Sequence, residues 1–185
     1  PYIFTKDSLS AYFESIEKLK PDGISMLYPE RYYNIDEPII EFLNQPGKFG
    51  LNVVLHEMKL VSGFNGELIN WPEKLLKRVF QEIELVGIKE DSKDDEITDL
   101  VLGLCADKQV DCVLAGGGKI RAEKFFSKGL KTWLNGSTMF LPALIDETYE
   151  GFITGNSDYK DWYINAVERP FFEEVVSKFG WHLAH

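Results

Sequence analysis

The run Leu51-Asn-Val-Val-Leu-His-Glu-Met-Lys-Leu-Val61 is hydrophobic enough to be a core strand, yet its second half carries His56, Glu57 and Lys59. Side chains on an extended strand alternate between faces, so Glu57 and Lys59 share one face and His56 takes the other. A packed strand has little reason to display a carboxylate and an ammonium two residues apart unless they point out of the core or into a site. The segment therefore directs both the fold reading, a strand set among helices, and the search for chemistry.

Toward the N-terminus, Asp7 to Lys20 is an amphipathic helix with Leu9, Phe13, Ile16 and Leu19 on one face, stopped by Pro21-Asp22-Gly23. Ile24 to Tyr28 is a short strand, and Asp36-Glu37-Pro38 opens a helix reaching Leu43. Beyond the run, Ser62 to Gly66 is a loop or a hairpin tip leading to Leu68 and Ile69. Asn70 and Glu73 form a capping-box pattern before a helix whose buried stripe is Leu75, Leu76, Val79, Phe80 and Ile83, with Lys74, Lys77 and Arg78 facing outward. Lys89 to Glu96 is a charged linker, from which Ser92 and Asp95 start a helix on Ile97, Leu100, Val101 and Leu104.

Val110 to Ala115 is a buried strand, Gly116-Gly117-Gly118 a sharp turn, and Ile120 to Leu134 a helix. Met139 to Ile145 and Tyr149 to Thr154 are expected to pair as strands, Ser157 to cap a helix broken at Arg169-Pro170, and Phe171 to Phe179 to form a last short helix. The mixture predicts an α/β or α+β fold: one compact domain over residues 1–185, a mixed sheet packed by about five to six helices. The one candidate subdivision falls in 89–96.

Asp+Glu number 30 against Lys+Arg 20, a formal net charge of −10, which opposes binding to an extended nucleic-acid backbone unless a metal or a local basic patch reverses the field. The two cysteines, Cys105 and Cys112, lie in apolar surroundings outside any metal-ligand spacing and read as buried free thiols, hence a cytosolic protein. No apolar run is long enough to span a bilayer and no secretory leader is evident, so membrane attachment is not expected. His182 and His185 lack a third ligand nearby.

Three groups of residues could carry function. Asp22, followed by the Glu57-Met58-Lys59 triplet on a strand and then by a helix bearing Lys74, Lys77 and Arg78, resembles the half-sites of the PD-(D/E)xK nuclease family. That resemblance implies a divalent metal, Mg²⁺ or Mn²⁺, between the Asp22 and Glu57 carboxylates, with Lys59 orienting or activating water. The competing reading is a strand-edge ion pair. Gly116, Gly117 and Gly118 followed by Lys119 and Arg121 at a helix start could cradle a phosphate or nucleotide, although a tight turn explains the glycines equally.

The last third mixes aromatics with acids. Asp146, Glu147, Glu150, Asp158, Asp161 and Trp162 have the chemistry of a face that selects a basic partner, although core packing accounts for many of the aromatics. With no complete active-site signature in the chain, the sequence favours an acidic protein-binding domain of inhibitor or immunity type, directed at a basic macromolecule. The metal-dependent nuclease and the phosphate-binding domain stand as alternatives.

Overall fold

β-Branched and aliphatic residues at Val53, Val54 and Leu55 make the expected strand, β2, which spans Val53–Glu57. It lies between β1, Ile24–Leu27, and β3, Leu85–Glu90, with β4, Asp111–Leu114, beyond; each adjoining pair is parallel. The computed structural model describes residues 6–29, 35–58, 70–115, 118–134 and 142–180. Over them the α/β class expected from the sequence is observed, and the strands of this sheet are parallel.

Helices connect the strands: α1, Lys6–Glu17, precedes β1; α2, Asp36–Leu43, lies between β1 and β2; α3, Glu73–Glu82, between β2 and β3; and α4, Asp95–Lys108, between β3 and β4. Strand order follows chain order. Because crossovers between parallel strands are right-handed, a sheet that always adds its next strand on the same side collects all its helices on one face. Burial records the asymmetry: Val53, Leu55 and Glu57 are buried while Val54 and His56 between them are only half-buried. Leu55, Ile88 and Leu114 pack under the helices at 0%, 0% and 1% exposure, whereas Leu27 on the alternate face is 43% exposed.

The pairing of β2 with β3 is irregular. Val53 faces Leu85 but Val54 faces Gly87, so Val86 is an extra residue on β3, 43% exposed, and from there His56 faces Lys89 and Glu57 faces Glu90.

The first four residues of a helix have unpaired N–H groups. In α4 two of them are met by the Asp94 carboxylate, which accepts from Glu96 N at 3.0 Å and Ile97 N at 3.4 Å. Asp94 is thus the cap, not Ser92, whose hydroxyl is turned to Glu90. Asn70 likewise does not cap α3. Pro72 holds that position, and the Asn70 amide donates to Asp94 Oδ2 at 3.2 Å.

The chain forms two compact units, Pro1–Gly116 and Gly117–His185, and the charged segment 89–96 lies inside the first. The second unit contains α5, Gly118–Phe126; a two-residue strand β5, Thr132–Trp133; α6, Pro142–Thr154; and α7, Ser157–Tyr163. Tyr149 to Thr154, expected as a strand, belongs to α6. Its β-forming residues are satisfied as a helical face: Phe152 stacks on Phe126 at 5.0 Å and meets Trp133 at 5.5 Å, and the Tyr149 hydroxyl donates to Lys131 O at 2.8 Å. Met139 and Phe140 lie outside the described residues.

Beyond α7 the chain stays helical through two π turns, Ile164–Glu168 and Phe172–Val176, as far as Phe179, so Arg169-Pro170 does not end it. A Cβ on Gly151 would come within 3.0 Å of Asn156 O and 3.2 Å of Lys160 Cβ, so glycine is what lets α6 and α7 approach.

Removing the α4 cap with Asp94→Ala is expected to lower stability by about 1 kcal/mol, and cutting back the fully buried Leu55 to Ala by about 2–5 kcal/mol. Urea titration followed by circular dichroism checks both.

Candidate functional site

Parallel α/β sheets place their chemistry at the carboxyl ends of the strands, where loops rather than packed helices approach. At that end of this sheet, His56 is the penultimate residue of β2 and Lys89 the penultimate residue of β3, directly opposite each other in register. Partners in a parallel ladder share a face. Both are half-buried and stand on the face that the helices of this unit leave open, with Gly87 two residues below Lys89 on the same face.

The imidazole reports its surroundings. Burial holds the His56 pKa below the usual histidine value, the Lys89 ammonium lowers it further, and the Asp91 carboxylate partly offsets both. At neutral pH the ring is therefore uncharged and can accept a proton. Its Nε2 is shielded from solvent and has no hydrogen-bond partner among the described residues. A buried polar atom without a partner is costly unless a ligand or water meets it, so this nitrogen faces a place where such a group belongs.

On the opposite face of the same strand ends lie two carboxylates in register, Glu57 and Glu90, both 0% exposed. Glu90 accepts from Ser92 N at 2.8 Å and Thr98 Oγ1 at 2.8 Å, and also from the Ser92 hydroxyl. The backbone closes around them: Asp91 N donates to Glu57 O and Ala115 N to Glu90 O, each at 2.8 Å.

The residues singled out in the sequence are not brought together. Asp22 is exposed in the turn before β1, its carbonyl accepting from Asn52 Nδ2 at 2.7 Å, whereas Glu57 is at the far end of β2 under the helices. Six residues of strand, about 20 Å, separate the two levels, too far for a shared ion with first-shell oxygens at about 2.0–2.6 Å. Lys59 lies outside the described residues, among which no group of His, Cys, Asp or Glu could hold a metal. His56 is brought into the candidate site instead.

Gly116 and Gly117 also lie outside the described residues, while Gly118 and Lys119 begin α5; Arg121 lies over the Phe125 ring at 5.4 Å. Asp146, Glu147 and Glu150 are exposed on α6, and Asp158, Asp161 and Trp162 on α7, where Asp161 pairs with Lys160 at 3.6 Å. Lys89 went unrecognised because it was read as the first residue of a charged linker. The signal was present in Leu85-Val-Gly-Ile-Lys-Glu90, four apolar-to-small residues between a helix and the next cap, the length of a parallel strand.

No protein-family model and no curated sequence matches the chain. Solved structures match its fold. Dihydrodipicolinate synthase from Bacteroides thetaiotaomicron aligns with TM-score 0.71 at 15% identity, covering 91% of this chain and 56% of that one. N-acetylneuraminate lyase from Mycoplasma synoviae gives 0.66 at 11%, covering 94% and 56%. A catalytic lysine mutant of the sialic acid aldolase from Ruminococcus gnavus gives 0.61 at 16%, covering 83% and 48%. This chain spans about half the length of these structures. The likeness overturns the functions expected from sequence: the inhibitor or immunity domain, the metal-dependent nuclease and the phosphate-binding domain all give way to a fold whose solved neighbours are aldolase-type enzymes. At these identities it is the fold that is established, that of the TIM-barrel-like aldolases.

Proposed function

We propose that this chain carries the reactive amine of a Schiff-base aldolase, with Lys89 as nucleophile, His56 as its proton partner and a keto acid as substrate. The observation that carries the reading is the placement of Lys89 beside His56 at the carboxyl ends of adjacent parallel strands, on the face opposite the connecting helices of this unit. One structural neighbour is described by its catalytic lysine, and others are named for N-acetylneuraminate and dihydrodipicolinate, both carboxylates, which supports both the chemistry and the substrate class.

A lysine amine forms Schiff bases with carbonyl compounds, splitting a difficult step into two easier ones. Once its ammonium has passed a proton to a base, the Lys89 amine adds to the keto carbon, and the carbonyl oxygen takes up a proton to give a carbinolamine. Loss of water leaves an iminium. Its positive nitrogen draws electrons from the neighbouring C–H bond, whose proton passes to a base, and the resulting enamine attacks an acceptor aldehyde, whose oxygen takes up a proton as the carbon–carbon bond forms and the iminium returns. Water then releases the product and restores the amine. His56, uncharged and with no partner for Nε2 among the described residues, is the candidate to deliver and receive these protons.

The proposed setting is the reducing interior of the cell. Cys105 and Cys112 are free and buried, and the Cys112 thiol is pushed up by its hydrogen bond with Cys105 and by burial, which keeps it protonated and unreactive. Among the described residues no helix is long and apolar enough to cross a membrane.

Incubation with pyruvate, the simplest keto acid, and borohydride is expected to reduce the iminium to a stable secondary amine on the peptide containing Lys89, read by mass spectrometry. Lys89→Arg should abolish the adduct, and His56→Gln should slow its formation by about 10²–10⁴-fold. An adduct on other lysines only, or none with pyruvate or larger keto acids, would remove the reading.

Linkage gives a second test. A histidine whose folded pKa lies below its unfolded value, about 6.5, contributes stability that is fully present above that value and is lost as pH falls through it toward the folded pKa. The melting temperature should therefore decline below about pH 6.5, and His56→Gln should flatten the decline; differential scanning calorimetry at several pH values checks this.

A further inference from the structure

Lys89 and Glu90 are joined by one peptide bond and point to opposite faces of β3, so whatever fixes Glu90 also fixes the direction in which the lysine leaves the sheet. Glu90 is held at both ends. Its carboxylate is 0% exposed and accepts from Ser92 N at 2.8 Å, from the Ser92 hydroxyl and from Thr98 Oγ1 at 2.8 Å, with Ser92 and Thr98 themselves 0% exposed. Its backbone carbonyl accepts from Ala115 N at 2.8 Å. The network continues: Asp94 N donates to Ser92 Oγ at 3.1 Å, the Asp94 side chain caps α4, and Asn70, just before α3, donates to Asp94 Oδ2 at 3.2 Å. The strand end that carries Lys89 is thereby tied to the starts of the helices on either side of it.

A buried carboxylate is a poor device for stability alone, since packed apolar groups of the same volume often serve as well or better; what a fully bonded one supplies is a single geometry. We infer that Glu90 is a positioning residue for Lys89, acting through Ser92 and Thr98, an inference that rests on the proposed role of Lys89. A displacement of about 1 Å at a reacting group costs on the order of 10²-fold in rate, so loosening this clamp falls on the lysine's reaction before it falls on the fold.

The test uses Glu90→Gln, Thr98→Ala and Thr98→Ser in the full chain, with two readouts. The first is pyruvate–borohydride trapping at Lys89. The second is the acetylation rate of Lys89 by acetic anhydride relative to the other lysines of the same sample, which needs no carbonyl substrate. Glu90→Gln and Thr98→Ala are expected to slow trapping by roughly 10- to 100-fold and to change the relative acetylation of Lys89, with the far-ultraviolet circular dichroism of the wild type; Thr98→Ser, which restores the hydroxyl, should restore both. Unchanged trapping and unchanged acetylation in folded Glu90→Gln and Thr98→Ala would overturn the inference, as would losses that follow only the unfolded fraction. A wild type that traps no keto acid, with acetylation at Lys89 still responding to Thr98→Ala and rescued by Thr98→Ser, would sink the aldolase reading and leave the positioning role standing.

Discussion

The constraint on which this molecule depends is the handedness of its crossovers. Each strand of the first unit adds on the same side as the last, so one rule of chirality sends every connecting helix of that unit to one face and none of them to the other. The helix-covered side is filled by Leu55, Leu75, Leu76, Val79, Ile88 and Leu114, all at 0–1% exposure, and supplies the hydrophobic drive. The open side is then free to present polar groups. A doubly wound sheet, covered on both faces, would have buried His56 and Lys89 under helices. The placement of these polar groups follows from topology before it follows from any particular residue.

The two faces also treat charge differently. On the open face an amine and an imidazole stand side by side, and the imidazole registers the ammonium as a lowered proton affinity. On the covered face the carboxylate of Glu90 is immobilised by two hydroxyls and a backbone N–H.

Much of this was legible in the sequence where one pattern dominated. The alternation around β2 and the stripe Leu75, Leu76, Val79, Phe80 gave a strand and a helix close to those observed, and Asp36–Leu43 matches α2. β3 was not legible because its second half is charged, and local polarity gives no sign that Glu90 will find Ser92 and Thr98, two and eight residues away, and be buried with them. Tyr149–Thr154 went the other way: β-branched and aromatic residues suggested a strand, yet the contacts that place Phe152 against Phe126 and Trp133 require the spacing of a helix. The pairing of His56 with Lys89 spans 33 positions of chain and exists only in the sheet register, which no local window contains.

That register turns on Val86. Were β3 to pair without the bulge, with Leu85 held at its place and Val86 taken up opposite Val54, the lysine would fall opposite Glu57 rather than His56 and would swing under the helices. An amine bound to a buried carboxylate is an ion pair, occupied and chemically silent. The difference between an amine on the open face and a strut under the helices is thus a matter of counting: the lysine's neighbour is set by one residue left out of the pairing, and taking that residue into the ladder would move the amine without changing the identity of any side chain.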